Sequence, residues 1–145
     1  MQPELNISAD VEIEVPFHDV DLLNVAWHGH YFKYFELART ELMRKLDLDW
    51  PAVKSLGFAM PVVNANVSYR NSLSYGKKAI VTASIHEYGL PELIVNYCVR
   101  DKDTNATCTV GTTRQLYWHL ETGTTQFLVP DLIRQRFETY LEGTR

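Results

Sequence analysis

Two carboxylates, Asp19 and Asp21, lie in a short loop that leads directly into the start of a strongly patterned helix. The start of a helix has N–H groups without partners and a partial positive charge, so it can stabilise an oxyanion as that charge develops. A carboxylate a few residues upstream can act on the same carbonyl group as a general base or as a nucleophile. Residues 17–39 therefore predict a site for acyl chemistry.

The helix that follows this loop is predicted over residues 28–46. Its apolar side chains recur at spacings of three and four, whereas the opposite face is mostly polar. The apolar stripe consists of Tyr31, Phe35, Ala38, Leu42 and Leu46, with Tyr34 beside them. A stripe of this length predicts a helix pressed against a sheet along its whole length.

Strands are predicted wherever apolar and polar residues alternate between turn signals. The predicted strands are 11–17 before the helix and 61–69, 78–87, 92–101 and 106–119 after it. Short turns join the last three strands, which indicates antiparallel neighbours. A short helical piece within residues 47–57 and a final helix over residues 130–142, which Gly143 should end, complete the set.

This order of elements predicts an α+β fold, with one curled antiparallel sheet wrapped around one central helix. The chain should form a single domain over residues 1–145. Because a curled open sheet has exposed edges, pairing between copies is expected, as a homodimer or a dimer of dimers.

The composition is that of an ordinary globular chain. Hydrophobic residues make up 46% and charged residues 22%, and 14 basic against 18 acidic residues give a formal charge of −4. This charge argues against a nucleic-acid-binding protein, which usually has a basic face. The N-terminus has no signal-peptide pattern and no apolar run is long enough to cross a bilayer. We therefore expect a soluble, cytoplasmic protein without a membrane partner.

The two cysteines, Cys98 and Cys108, lie in a candidate hairpin where they could face each other. Two cysteines are too few for a disulfide framework, and nothing indicates secretion. Free thiols are therefore predicted.

The loop and helix together resemble the hotdog-fold acyl-CoA thioesterases, most closely the 4-hydroxybenzoyl-CoA thioesterase and YbgC-like branch. The resemblance is carried by the pattern Phe17-x-Asp-x-Asp-x-x-x-Val25-x-Trp-His-x-x-Tyr31-x-x-Tyr-Phe-Glu-x-Ala-Arg39. Residues 61–69 also resemble the second strand of that family. At Asn24 the family usually has glycine, and asparagine tolerates the left-handed backbone better than most residues.

The resemblance implies that Asp21 is the catalytic carboxylate and that the helix start near His28 polarises a thioester carbonyl. The substrate would be an acyl thioester of coenzyme A or of a carrier protein, hydrolysed to a free acid and a thiol without a cofactor. Asp21 could activate water, or it could attack directly and form a mixed anhydride. Without the surrounding pattern, Asp21 would be interpreted as a residue that closes a turn. Asp19 is expected to orient the loop or to accept backbone N–H bonds.

Further residues are candidates for binding the substrate. They are Trp27, Gly29, Tyr31, Glu36, Asn66, Tyr69, Asn71 and Tyr75. Several have structural alternatives: Glu36 could pair with Arg39, and Asn66 and the 71–75 loop could form only a polar sheet face and a turn. The chain lacks the arginine pair with which some relatives hold the phosphates of coenzyme A. That role could fall to Arg70, Lys77 and Lys78.

His28 and His30 form an isolated His-x-His without further ligands at metal-site spacing, so no metal site is predicted. His28 could donate a side-chain hydrogen bond in the site or supply only its backbone N–H. Serine-hydrolase, dinucleotide and P-loop motifs are absent from the sequence. Two other functions remain: a hydratase or dehydratase on a related scaffold with His28 as base, and a non-catalytic module that binds acyl thioesters.

Overall fold

The computed structural model describes residues 5–144, which form one antiparallel sheet and three α-helices. The elements are β1 (Ile7–Glu14), α1 (Tyr31–Lys45), α2 (Trp50–Ser55), β2 (Phe58–Ala59), β3 (Val62–Tyr69), β4 (Lys78–Ile85), β5 (Glu92–Asp101), β6 (Thr107–His119), β7 (Thr124–Gln126) and α3 (Asp131–Gly143). Within these residues no helix is long and apolar enough to cross a bilayer, and α1 has only 15 residues.

The strands β4, β5 and β6 pair as antiparallel neighbours, as their short connections predict. The first strand, β1, joins the far side of β4, with Ile7 opposite Ile85. The other side of β6 pairs with β3, from Val62 opposite Gln115 to Tyr69 opposite Thr109. The short strands β2 and β7 pair with the C-terminal end of β6.

The helix α1 lies on the concave face of this sheet and supplies much of the core. Its buried residues are Tyr31, Tyr34, Phe35, Ala38, Leu42 and Met43, which include most of the predicted stripe. The Phe35 ring stacks on Tyr97 of β5, with centroids 4.5 Å apart. A Cβ atom at Gly111 of β6 would lie 2.7 Å from the Phe35 ring, so glycine there permits close packing of helix and sheet. The predicted α+β arrangement is therefore observed.

Some boundaries differ from the sequence prediction. The first strand ends at Glu14 because Pro16, which lacks an N–H, leads into a 3-10 turn over Phe17–Asp19. The last helix continues through Gly143 and has Thr144 at its C-cap, so Gly143 does not end it. The strands β2 and β7, of two and three residues, were not predicted because they are too short for alternation to show.

The cysteines lie on paired strands but not opposite each other. Cys98 faces Val110 across the β5–β6 pair, and Cys108 lies where the register shifts between Val99 and Arg100. Both thiols are free, as predicted. They therefore form no crosslink between the two strands.

The strand β3 forms one edge of the sheet. Its outer side pairs with no other strand of the described chain. The register shifts between Val62 and Asn64, and both Val62 and Val63 are exposed. An open edge with apolar side chains is a ready surface for strand pairing with another chain.

Candidate active site

Residues 19–27 form a tight hairpin with Asp21 close to its tip. The N–H of Trp27 donates to the carbonyl of Asp19 at 2.9 Å, and the N–H of Asp21 donates to Val25 at 3.0 Å. At the turn, Asn24 has a φ of 59°, which is the left-handed conformation anticipated for asparagine there. The N–H of Ala26 donates to the carbonyl of Leu73 at 2.6 Å, which ties the hairpin to the loop before β4.

The carboxylate of Asp21 has a structural contact of its own. Its Oδ1 accepts a hydrogen bond of 2.8 Å from the N–H of Leu23, which closes the turn. Its Oδ2 has no hydrogen bond or ion pair with any atom of residues 5–144. One oxygen of the group therefore holds the turn while the other is available to a ligand.

Asp21 lines a cavity of about 270 Å³ between the hairpin, the start of the helix and the end of β3. Six residues singled out in the sequence meet there: Asp21, His28, Tyr31, Tyr69, Arg70 and Asn71. Val25 and Ala26 also line it and were not predicted, since only the hairpin fold and its pairing with the 71–77 loop bring them there. Ser72 lines it as well and belongs to the 71–75 loop that the sequence suggests as part of the acyl pocket. Burial raises the pKa of both the Tyr31 and Tyr69 phenols, so each remains protonated and can donate a hydrogen bond.

The helical segment at the cavity starts with a 3-10 turn, His28–His30, that runs into α1. The N–H of His30 donates to Trp27 at 3.0 Å, and that of Tyr31 donates to His28. The N–H groups of His28 and Gly29 donate to no atom of the described chain. An oxyanion placed at these N–H groups would be stabilised as it developed.

Trp27 and Gly29 form the outer wall of this turn. A Cβ atom at Gly29 would lie 2.1 Å from the Trp27 ring, so only glycine lets the ring lie against the backbone. The same ring lies between His28 and His30, with centroids 4.7 and 5.4 Å away. Trp27 and Gly29 therefore shape the turn that carries the free N–H groups, although neither lines the cavity itself.

Asp19 is buried beneath the hairpin, with its side chain fully inaccessible to solvent. Lys33 Nζ lies 2.6 Å from both carboxylate oxygens, and the Tyr34 hydroxyl donates to Oδ2 at 2.8 Å. Burial alone would raise the pKa of Asp19, but the hydrogen bonds from Lys33 and Tyr34 outweigh it and hold that pKa below its ordinary value. Burial and the Asp19 carboxylate raise the pKa of Tyr34, which keeps its hydroxyl a donor.

The sequence predicts that Asp19 either orients the loop or accepts backbone N–H bonds. The donors to its carboxylate are side chains rather than backbone N–H groups, because the rotation of α1 relative to the loop turns Lys33 and Tyr34 toward Asp19. No motif in the sequence predicts this contact, since Asp19 and Lys33 are 14 residues apart.

Besides Trp27 and Gly29, three more of the predicted substrate-binding residues do not line this cavity. Glu36 is exposed and pairs with Arg39 at 3.3 Å, the structural alternative described above. Asn66 bonds to Asn64 at 2.9 Å and lines a depression of about 460 Å³ on the opposite face of the sheet. Tyr75 packs edge-on against Phe17 at the surface. Their contacts with a substrate remain predictions.

The three candidate phosphate-binding cations lie in different surroundings. Arg70 lines the cavity and pairs with no carboxylate of residues 5–144. Lys77 lies 3.8 Å from both Asp101 and Asp103, and Lys78 lies opposite Glu14 at the start of β4. Of the three, Arg70 is the one that lines the same cavity as Asp21.

Residues 15–137 match the family model described as the thioesterase-like superfamily. This chain belongs to the thioesterase-like superfamily. A putative acyl-CoA thioesterase of Bacillus subtilis is 31% identical to this chain over 86 residues. The aligned residues cover 59% of this chain and 62% of the relative. The aligned part thus omits more than a third of that relative.

Solved structures show the same fold. The DHNA-CoA thioesterase of Staphylococcus aureus is 23% identical, with a TM-score of 0.77 and 95% of both chains covered. A second Staphylococcus aureus protein, solved in complex with CoA, is 14% identical, with a TM-score of 0.80, and the match covers 98% of this chain and 87% of that one. The hotdog fold expected from residues 17–39 is confirmed.

Proposed function

We propose that this superfamily member is a single-domain acyl-CoA thioesterase that hydrolyses an acyl thioester to a free acid and coenzyme A. The observation that carries the proposal is that one cavity holds the Asp21 carboxylate and the helix start at His28. These are the two groups that thioester hydrolysis needs, a base or nucleophile and a site for the oxyanion.

The reaction follows from these positions. The N–H groups of His28 and Gly29 stabilise the carbonyl oxygen as it gains negative charge. Asp21 either takes a proton from the attacking water or attacks the carbonyl carbon itself, and water then opens the anhydride. In both routes the carbon–sulfur bond breaks, the thiolate leaves and takes up a proton, and water supplies the new oxygen of the acid.

The lining suggests the kind of acyl group. The rings of His28, Tyr31 and Tyr69 lie beside the cavity and suit an aromatic or a short aliphatic acyl group. This lining is consistent with the 4-hydroxybenzoyl-CoA-like branch expected from the sequence. Arg70 would bind a negatively charged group of the substrate, such as a phosphate of coenzyme A; its position in the cavity lining supports this role.

A homodimer is part of the proposal. Two copies paired through the open edge of β3 would extend the sheet and cover Val62 and Val63. The cavity adjoins Tyr69 at the end of β3, so the second copy would lie close to it. We place this activity in the cytoplasm.

The test is thiol release from a panel of short, long and aromatic acyl-CoAs by the native chain and by Asp21→Asn. Asparagine keeps an oxygen for the Leu23 N–H but loses the charge, so kcat should fall by about 10²- to 10⁴-fold while the protein remains folded. Asp10→Asn, on the exposed side of β1, is the matched control and should keep native kcat.

A native chain that releases no thiol from any of these substrates would remove the proposal, as would an Asp21→Asn variant with native kcat. Hydration of an enoyl-CoA without thiol release would instead indicate a hydratase with His28 as base. Tight binding of acyl-CoA without any turnover would indicate a binding module.

A further inference from the structure

We propose that Asp19 is a positioning residue, which clamps the hairpin that carries Asp21 onto the first turn of α1 through Lys33 and Tyr34. The clamp would set the separation between the Asp21 carboxylate and the free N–H groups of His28 and Gly29. This inference rests on the proposed function, because it assigns a role to Asp19 in the same reaction.

The burial of Asp19 is the first support. A carboxylate removed from water is stable only if it has charged or hydrogen-bonding partners. Asp19 has three direct contacts of this kind, two from Lys33 at 2.6 Å and one from Tyr34 at 2.8 Å. His18 and His30 flank the group, with ring nitrogens 3.5 and 3.7 Å from Oδ1. All these partners belong to the hairpin base or to the start of the helix.

The backbone of Asp19 is the second support. Its carbonyl accepts the N–H of Trp27 at 2.9 Å, which closes the base of the hairpin. Trp27 is the residue directly before His28, and Asp21 is two residues beyond Asp19. One residue thus fixes the hairpin by its backbone and the helix by its side chain. A shift at Asp19 would move Asp21 relative to the His28 turn.

Placement of this kind affects rate more than binding. A misplacement of about 1 Å can cost on the order of 100-fold in rate, because the reacting groups leave their attack geometry. Asp19 lines no part of the cavity, so binding of the acyl-CoA should change little. Asp19 should therefore act on kcat rather than on KM.

The kinetic test compares Asp19→Asn with Asp101→Asn, at a temperature where both variants are fully folded. Asp101 is the matched control because it is also a buried aspartate with a lysine nearby, but it caps the β5–β6 turn and lines no part of the cavity. Asp19→Asn should lower kcat by about 10- to 100-fold and change KM by less than about threefold. Asp101→Asn should keep native kcat.

Variants of Lys33 provide a second kinetic test. If Asp19 acts through Lys33, the double variant Asp19→Asn/Lys33→Met should be about as slow as the slower single variant, because the two residues act as one unit. Lys33→Arg keeps the cation and should recover part of the kcat lost in Lys33→Met. Losses that multiply in the double variant would overturn the clamp.

Hydrogen exchange separates this inference from the proposed function. Asp19→Asn should speed amide exchange at Asp21, Ala26 and Trp27, whose N–H groups hold the hairpin, without affecting β4 and β5. If the native chain hydrolyses no thioester, the proposed function fails and exchange alone decides the clamp. Unchanged exchange at these amides, or a kcat for Asp19→Asn within twofold of native in an active protein, would overturn the inference.

Discussion

The Tyr69 hydroxyl, at the end of the edge strand β3, donates a hydrogen bond of 2.7 Å to the backbone carbonyl of His28, 41 residues earlier in the chain. The Tyr69 ring also lies 5.3 Å from that of Tyr31. The turn with the free N–H groups is therefore held by the sheet on one side and by the hairpin on the other. Its position does not depend on helix formation alone.

Tyr69→Phe should loosen this turn with little effect on folding. The lost hydrogen bond is exposed, so the net cost to the free energy of unfolding should be about 1 kcal/mol or less, while kcat should fall by about three- to tenfold. Thiol-release kinetics and urea unfolding measure both quantities. Tyr88→Phe is the control, since Tyr88 packs on Phe137 away from the cavity and its hydroxyl has no hydrogen bond in the described chain. Equal effects of the two variants would contradict the assignment.

Gly29→Ala should be far more disruptive than most surface substitutions. The new methyl group would lie 2.1 Å from the Trp27 ring, so the ring or the turn must move, at a cost of about 1–3 kcal/mol in the free energy of unfolding. Urea unfolding and the near-UV circular dichroism of Trp27 report the change. Gly89→Ala meets no atom within 4 Å and should be nearly neutral. Adding Trp27→Ala should restore part of the stability, and no recovery would argue against the clash.

Substitutions of Glu36 and Arg39 should have different effects on activity and stability. Glu36 is exposed and lines no part of the cavity, so Glu36→Gln should leave kcat within about twofold of native. Arg39 donates to the buried Tyr97 hydroxyl at 3.2 Å, and Arg39→Met should lower the free energy of unfolding by about 1–2 kcal/mol. Kinetics and thermal unfolding of both variants measure this. A large loss of activity in Glu36→Gln would instead support the substrate-binding role that the sequence suggests for that residue.

Stability should fall in acid, in part through Asp19. Burial opposes its charge, but Lys33 and Tyr34 hold the pKa of Asp19 below its ordinary value of 3.8, so the unfolded chain takes up this proton first as the pH falls. The stabilisation is present above that value and is lost as the pH drops through the lower pKa of the folded state. Urea unfolding between pH 7 and about pH 3 should show this loss.

The matching variant is Asp19→Asn, which should be less stable at neutral pH and should lose less stability in acid. Some acid sensitivity should persist, because the N–H groups of Asp103 and Thr104, with Lys77, also lower the pKa of Asp101. If the free energy of unfolding depends on pH in the same way for Asp19→Asn and the native chain, Asp19 contributes nothing to the loss of stability in acid.

The sequence-predicted residues that the structure brings to one cavity were close in the chain or fixed by strand alternation. Asp21, His28 and Tyr31 belong to one loop and helix start, and alternation along β3 places Tyr69 on the face that the helix covers. The contact of Asp19 with Lys33 could not be predicted, because it depends on how α1 is rotated against the loop. Rotation of this kind is set by packing of the whole core.

Asn66 is a predicted site residue that strand alternation directs away from the cavity. It lies between Ala65 and Val67 on β3, so alternation directs its side chain away from α1 even though its chain neighbours face the helix. A single chain therefore gives no contact between Asn66 and the cavity, and only contacts across an interface could supply one.

The pairing of Ile7 with Ile85 also affects when β1 can join the sheet during synthesis of the chain. On a ribosome that adds about 5–20 residues per second, β1 emerges several seconds before β4 exists. During that interval the apolar side of β1 has no sheet to join, whereas β4, β5 and β6 can pair as soon as each is complete. The strand β1 thus waits longer for its partner than any other strand of the described sheet, and a molecular chaperone that shields the nascent segment around β1 would act before any pair of strands has formed.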